Sequence, residues 1–229
     1  MFIRNHARRV GIAAAIGVLG LAALPLTSQA APAKPDALHY NITESDCGTS
    51  PSCFTTANVD IFPSGADDSV AEIALPFPIF VYGVKHTTAW VSSNGNVQFK
   101  GPGNSQFVNS PLPSNQLDGA AVAPYWDDLV VDGSGSGTGV FDRNVGGTEF
   151  VISWRGYEFN NTANTVRAEV IFFKNNRNIQ FNYISTNPGD GESATIGVQK
   201  AAGGPASEWS YDSSGAAFDG MRLTLAPVS

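Results

Sequence analysis

Polar and apolar residues alternate most clearly between Trp90 and Phe99, in WVSSNGNVQF. Asn94-Gly95 divides this stretch into two short runs. That dipeptide is a strong hairpin signal, because a two-residue type I′ turn needs positive φ at both central positions. Such a loop pairs Ser93 with Asn96, Ser92 with Val97, Val91 with Gln98 and Trp90 with Phe99. Side chains alternate between the faces of a strand. The pairing predicts a buried face of Trp90, Ser92, Val97 and Phe99. It predicts a wet face of Val91, Ser93, Asn96 and Gln98.

Alternation continues along the chain. Residues 70–75 place Ala71, Ile73 and Leu75 on one face, and Pro76 and Pro78 are expected to break that strand. Residues 79–82 form an apolar run ending at Gly83. Residues 100–117 are rich in Gly, Pro, Asn and Ser and predict a long loop, of a length that goes with function or with close packing on the domain. A buried strand is expected at 120–126, followed by Asp127-Asp128 and a Gly/Ser tip at 132–139. Phe150, Ile152 and Trp154 share a face, which places Trp154 in the core. Residues 166–173 end apolar on both faces and read as a central strand. Further strands are expected at 179–183, 194–199, 209–211 and 221–225. About ten strands with closely spaced turns predict an all-β fold, an antiparallel sandwich.

The first 30 residues differ from the rest. Arg4, Arg8 and Arg9 precede an apolar run at 10–26, and Ser28-Gln29-Ala30 supplies the small residues of a cleavage site. This is the pattern of a cleaved secretory signal helix at 1–30. The run is shorter than the ~20 residues a membrane span needs and contains Pro25. The expected product is exported, extracellular or periplasmic, with no membrane span. Residues 31–68 read as a leader with a disulfide loop and a short edge strand within 40–60, and 69–229 as the sandwich domain. The chain carries a formal charge of −7, and loss of the arginine-bearing signal makes the product more acidic still. An acidic product disfavours nucleic acid and anionic membrane surfaces as partners.

Cys47 and Cys53 lie in CGTSPSC. In an exported chain they are expected to form one local disulfide. A redox pair would place two residues between the sulfurs rather than five. His39 and His86 are too few to complete a zinc site with them.

Asp118, Asp127, Asp128 and Asp132 are the candidate metal ligands. Calcium takes hard oxygens from clustered carboxylates and loop carbonyls. The same aspartates also suit Asx turns, and both readings stay open. Asp127 and Asp128 are adjacent, so on a strand they point to opposite faces. Glu149, Glu158, Glu169 and Glu192 are candidates for the two carboxylates of a glycosidase, and Asp127 or Asp128 in one cleft with Glu149 or Glu169 would point to that chemistry. No spacing marks such a pair, and no Gly-x-Ser-x-Gly elbow is present. Tyr157, Phe159, Trp209 and Tyr211 are candidates for a contact surface, since aromatic faces bury much area.

Seven stretches, in order, carry a resemblance: LPFPIFVYG (75–83), VSSNGNVQF (91–99), VAPYWDDL (122–129), GVFD (139–142), FVISW (150–154), VIFFKNNRNIQFNY (170–183) and ATIGVQ (194–199). Together they resemble the nidogen-like (NIDO) extracellular domain family and its relatives in bacterial secreted proteins. The resemblance covers about residues 75–225 and leaves 40–68 without a counterpart. It implies an extracellular β-rich module for adhesion or for matrix or ligand binding, with no catalytic residues to carry over. The expected function is a secreted non-catalytic module that binds an extracellular protein or glycan, with calcium as the one cofactor considered. A secreted hydrolase using acidic residues and a purely structural envelope protein are the alternatives.

Overall fold

The computed structural model describes residues 40–228 apart from 49–52, 133–136, 160 and 185–189. The signal segment expected at 1–30 lies outside the described residues. Among those described, fourteen strands form two antiparallel sheets. Among the described residues no helix is long and apolar enough to cross a membrane.

The larger sheet holds eight strands. Its path runs β1 (Tyr40–Asp46), β14 (Met221–Pro227), β11 (Ile179–Tyr183), β10 (Asn161–Phe173), β9 (Glu149–Glu158), β8 (Gly139–Val145) and β2 (Val59–Asp60). The short β7 (Leu129–Val130) also pairs with β9. The six-stranded sheet runs β13 (Ala206–Tyr211), β12 (Thr195–Gln199), β6 (Ala121–Trp126), β5 (Asn96–Gln98), β4 (Val84–Ser92) and β3 (Val70–Val81). β10 is central, as its two-sided apolar end predicts. Residues 40–68, expected as leader, contribute edge strands β1 and β2 and a bridge between Ala66 and Val131.

The core lies between the sheets. Val91, Val97, Val122 and Ile196 face Ile152, Trp154, Val170 and Phe181, all buried. Large buried side chains with a polar atom find a carbonyl across the gap. The Trp154 indole donates to Ser92 O at 2.8 Å, and the Tyr183 hydroxyl to Pro124 O at 2.8 Å. Such bonds remove the cost of an unpaired buried donor while the rings fill the core.

Two expectations are corrected. First, the hairpin turn has three residues, 93–95, not two: Ser92 pairs with Asn96, Val91 with Val97 and Trp90 with Gln98. Gly95 is left-handed at φ 73°, and its carbonyl accepts from Tyr125 N at 3.2 Å. A Cβ there would collide with the Tyr125 carbonyl. The extra residue shifts β5 by one position, so Val91, Val97 and Phe99 face the core together, while Ser92, Asn96 and Gln98 face outward. Three-residue loops ending in a left-handed glycine are the next commonest hairpin after the two-residue kind. Second, Pro76 and Pro78 do not end β3. They fall in a register shift between Ala74 and Ile79 on an edge strand, where a missing N–H is tolerated.

The outward face is nevertheless dry. Gln98, Gln199 and Trp126 are fully buried because residues 100–118 lie across them. The Gln98 amide accepts from Asn104 N and Asp118 N and donates to Asn104 O at 2.6 Å. The Gln199 amide accepts from Ser114 N at 2.7 Å and donates to the carbonyls of Ser114 and Gly119. The Trp126 indole donates to Gln106 O at 2.7 Å. The polar side of the sheet thus serves as the docking surface for an irregular segment whose backbone needs partners.

Candidate functional site

At one end of the sandwich several turns meet, and Asn94 joins them. Its Oδ1 accepts from Leu129 N at 3.0 Å. Its Nδ2 donates to Asp68 Oδ1 at 2.8 Å and to Ser105 O at 3.0 Å. One buried amide therefore holds together the β6–β7 turn, the segment before β3 and the covering loop.

Around it stand three carboxylates. Asp67, Asp68 and Asp128 place their oxygens within 4.8 Å of one another. Burial, and then the charges of Asp68 and Asp67, raise the Asp128 carboxyl above its ordinary range. Calcium takes six to eight oxygens. Three monodentate carboxylates supply only part of that set, and no cation site is assigned to them.

The four aspartates singled out in the sequence do not converge. Asp128 joins the cluster. Asp127 turns the other way, although the two residues lie in the β6–β7 turn rather than on a strand. It is buried, accepting from Ser193 Oγ at 2.6 Å and from Asp128 N at 2.8 Å. Burial pushes its carboxyl up to about 7 against these two bonds, with help from the charges of Glu158 and Asp128. Asp132 accepts from Thr138 Oγ1 at 2.7 Å and from the Tyr157 hydroxyl at 3.3 Å. Asp118 lies in the covering loop, bonded to Asn104 Nδ2 at 3.0 Å. The members missed in the sequence, Asp67 and Asp68, lie about 60 residues from Asp128, in the segment read as leader. An Asp-Asp pair on each side was the one available signal, and only strand pairing joins them.

Neither Glu149 nor Glu169 joins Asp127 or Asp128. Glu149 starts β9 at the far end of the sheet. Glu169 is fully buried on the outer flank, accepting from Thr55 N and from Asn182 Nδ2 at 2.6 Å. Glu158 neighbours Asp127 electrostatically, but its two oxygens accept from the Tyr125 hydroxyl at 3.0 Å and from Asn164 Nδ2 at 2.6 Å. Both carboxyl groups are engaged in holding turns.

The same end presents apolar side chains to solvent. Phe159 is 51% exposed, Val108 52%, Phe107 42% and Tyr211 36%. Phe159 N donates to Asp128 O at 2.9 Å, which holds this residue's backbone against the β6–β7 turn. Phe107 lines an open depression with Asp68, Asn104, Ser105, Gln106 and Gln116. Asn109 binds the loop to Ser193 O, Thr195 Oγ1 and Asp212 Oδ1, which brings it next to Tyr211. Tyr157 is half-buried. Trp209, expected on the contact surface, is instead buried in the core, its indole donating to Ala216 O at 2.8 Å. Its position on β13 turns it inward, toward the turn that precedes β14.

Cys47 and Cys53 are unbridged thiols in the structure. The Cys53 thiol lies against the Cys47 carbonyl, and the Cys47 thiol donates to Gly220 O at 3.2 Å. Burial and the hydrogen-bonded Cys53 thiol push the Cys47 thiol up.

Fold and site together define a two-sheet antiparallel sandwich that gathers carboxylates and exposed rings on the loops of one end. The chain belongs to the NIDO-related family, whose model matches residues 40–222. It is also similar to alpha-tectorin, at 41% identity to the human protein and 40% to the mouse protein over 68 residues. Those residues are 29% of this chain and 3% of either relative. No solved structure matches significantly.

Proposed function

We propose that the protein is an extracellular, non-catalytic module that binds a protein partner through its acidic, ring-bearing end. One observation carries this reading. Phe107 and Phe159 stand exposed on segments next to Asp68 and Asp128, with Val108 and Tyr211 exposed at the same end, and Asn94 and Asn109 fasten these segments to the sandwich. Exposed apolar side chains set among charges on fixed loops are the composition of a recognition surface. The carboxylates favour a cationic protein surface and repel acidic glycans. Membership of the NIDO-related family supports the extracellular setting. So does the signal pattern at 1–30. The Cys47–Cys53 disulfide belongs to the same reading, since the Cys53 thiol already lies against the Cys47 carbonyl and an exported chain meets oxidants.

The test is binding of purified protein to immobilised extracellular-matrix proteins, beside a Phe107→Ala/Phe159→Ala variant. A loss of tenfold or more in affinity is expected. Equal binding by the variant would remove this end as the binding surface.

A further inference from the structure

Strand direction sorts the charge of the molecule between its two ends. β4 runs from Val84 to Ser92, next to Asn94, and β10 runs from Asn161, next to Phe159, to Phe173. Ser92 and Asn161 therefore mark the acidic end. At the other end Lys85 stands near the start of β4, Lys174 and Arg177 follow β10, and Lys100 and Lys200 follow β5 and β12. All five are exposed. At ~3.3 Å per residue, β10 separates the two ends by roughly 40 Å. The remaining described arginines lie along the flank of the larger sheet. There Arg143 and Arg155 donate to the carbonyls of Thr56 and Ala57, and Arg222 to Asn182.

The basic end also has an apolar component. The Arg177 guanidinium lies 4.1 Å from the centre of the Phe80 ring, the Lys174 ammonium 5.9 Å from that of Phe77, and Val84 is 48% exposed. Glu149, paired with Phe173, is a carboxylate beside these cations, so the basic end is basic by excess rather than free of acids. Carboxylates and exposed ring faces suit Lys and Arg through ion pairs and cation–π contacts.

We propose that the acidic end of one copy docks on the basic end of a second copy, head to tail. This rests on the proposed binding role of the acidic end and names a partner for it. The two surfaces differ, so the contact is heterologous. Repeated without closure, it builds linear chains rather than a two-fold dimer. Because the attraction is between exposed charges, it weakens as salt shortens the screening length from roughly 20 Å toward roughly 4 Å.

Analytical ultracentrifugation at rising protein concentration tests it, in about 0.02 M and about 0.5 M salt. The expected result is an average mass that climbs past the dimer at low salt and returns to the monomer at high salt. K174E/R177E and D67K/D68K are each expected to stay monomeric at low salt, and their mixture to associate. A monomer at every concentration in low salt overturns the proposal. Association that ignores both salt and K174E/R177E overturns it too. K174E/R177E leaves the acidic end intact, so its binding to matrix proteins shows whether the functional reading survives a failure of self-association.

Discussion

Asn94 is the side chain on which the acidic end depends. It is buried and fills three hydrogen-bonding roles at once, to Leu129 N, Asp68 and Ser105 O. Asn94→Ala leaves a buried N–H and a carbonyl unpaired, a loss of about 2–4 kcal/mol, measurable by urea unfolding. Its neighbour Gly95 is legible in the sequence as a turn residue. The third turn residue is not, because Ser93 carries no mark that separates it from a strand position. Asp127 and Glu169 set the pH response. Burial holds both carboxyls at about 7, against about 4 in the unfolded chain. Between those values the folded state keeps protons that the unfolded state has lost, so stability falls as pH rises from about 4 to about 7 and then levels. A melting series should therefore show a higher Tm at pH 5 than at pH 8. Asp127→Asn should flatten that slope, and an unchanged slope would mean that Asp127 is ordinary.

Among the elements, the covering loop shows why a polar pattern can be misjudged. Gln98 and Asn96 read as wet, and they point away from the core as polar residues do. They are nevertheless buried: residues 100–118 use Gln98 as a partner for an irregular backbone, and Gln98 also donates to Asn96 Oδ1. The length and composition of that loop were visible in the chain; the surface it covers was not. Gln199→Leu keeps the size and removes the bonds to Ser114 and Gly119. A destabilisation of about 1–3 kcal/mol is expected, with increased hydrogen exchange at Ser114. Strands of strong alternation, such as Phe150-Ile152-Trp154, were legible because both their faces are decided by side-chain type. Within 40–60 one short edge strand was expected and two are present, β1 and β2, whose bounds were obscure because their residues are mostly polar and exposed. The Cys47–Cys53 pair lies just after β1, beside Gly220 at the start of β14. If it closes by oxidation, reductant should lower stability by roughly 2 kcal/mol on the chain-entropy view of a short loop. Intact mass, two hydrogens lighter, checks the bond directly.

For the whole molecule, charge distribution matters more than net charge. The formal value of −7 indicates an acidic protein but hides a basic end. Residues far apart in sequence, Lys85 and Arg177 or Asp68 and Asp128, become neighbours only through antiparallel pairing, so the polarity of the sandwich could not be read before the strand order was known. The central claim is that the acidic end is the recognition surface and prefers cations. A titration of isotope-labelled protein with a short oligolysine peptide, followed by amide chemical shifts at low salt, tests it most directly. Shifts confined to the turns around Asp68, Gln106, Asp128, Phe159 and Asp212 are expected, and they should vanish at high salt. At a protein concentration low enough to keep the chain monomeric, shifts spread over both ends, or none at low salt, would contradict it.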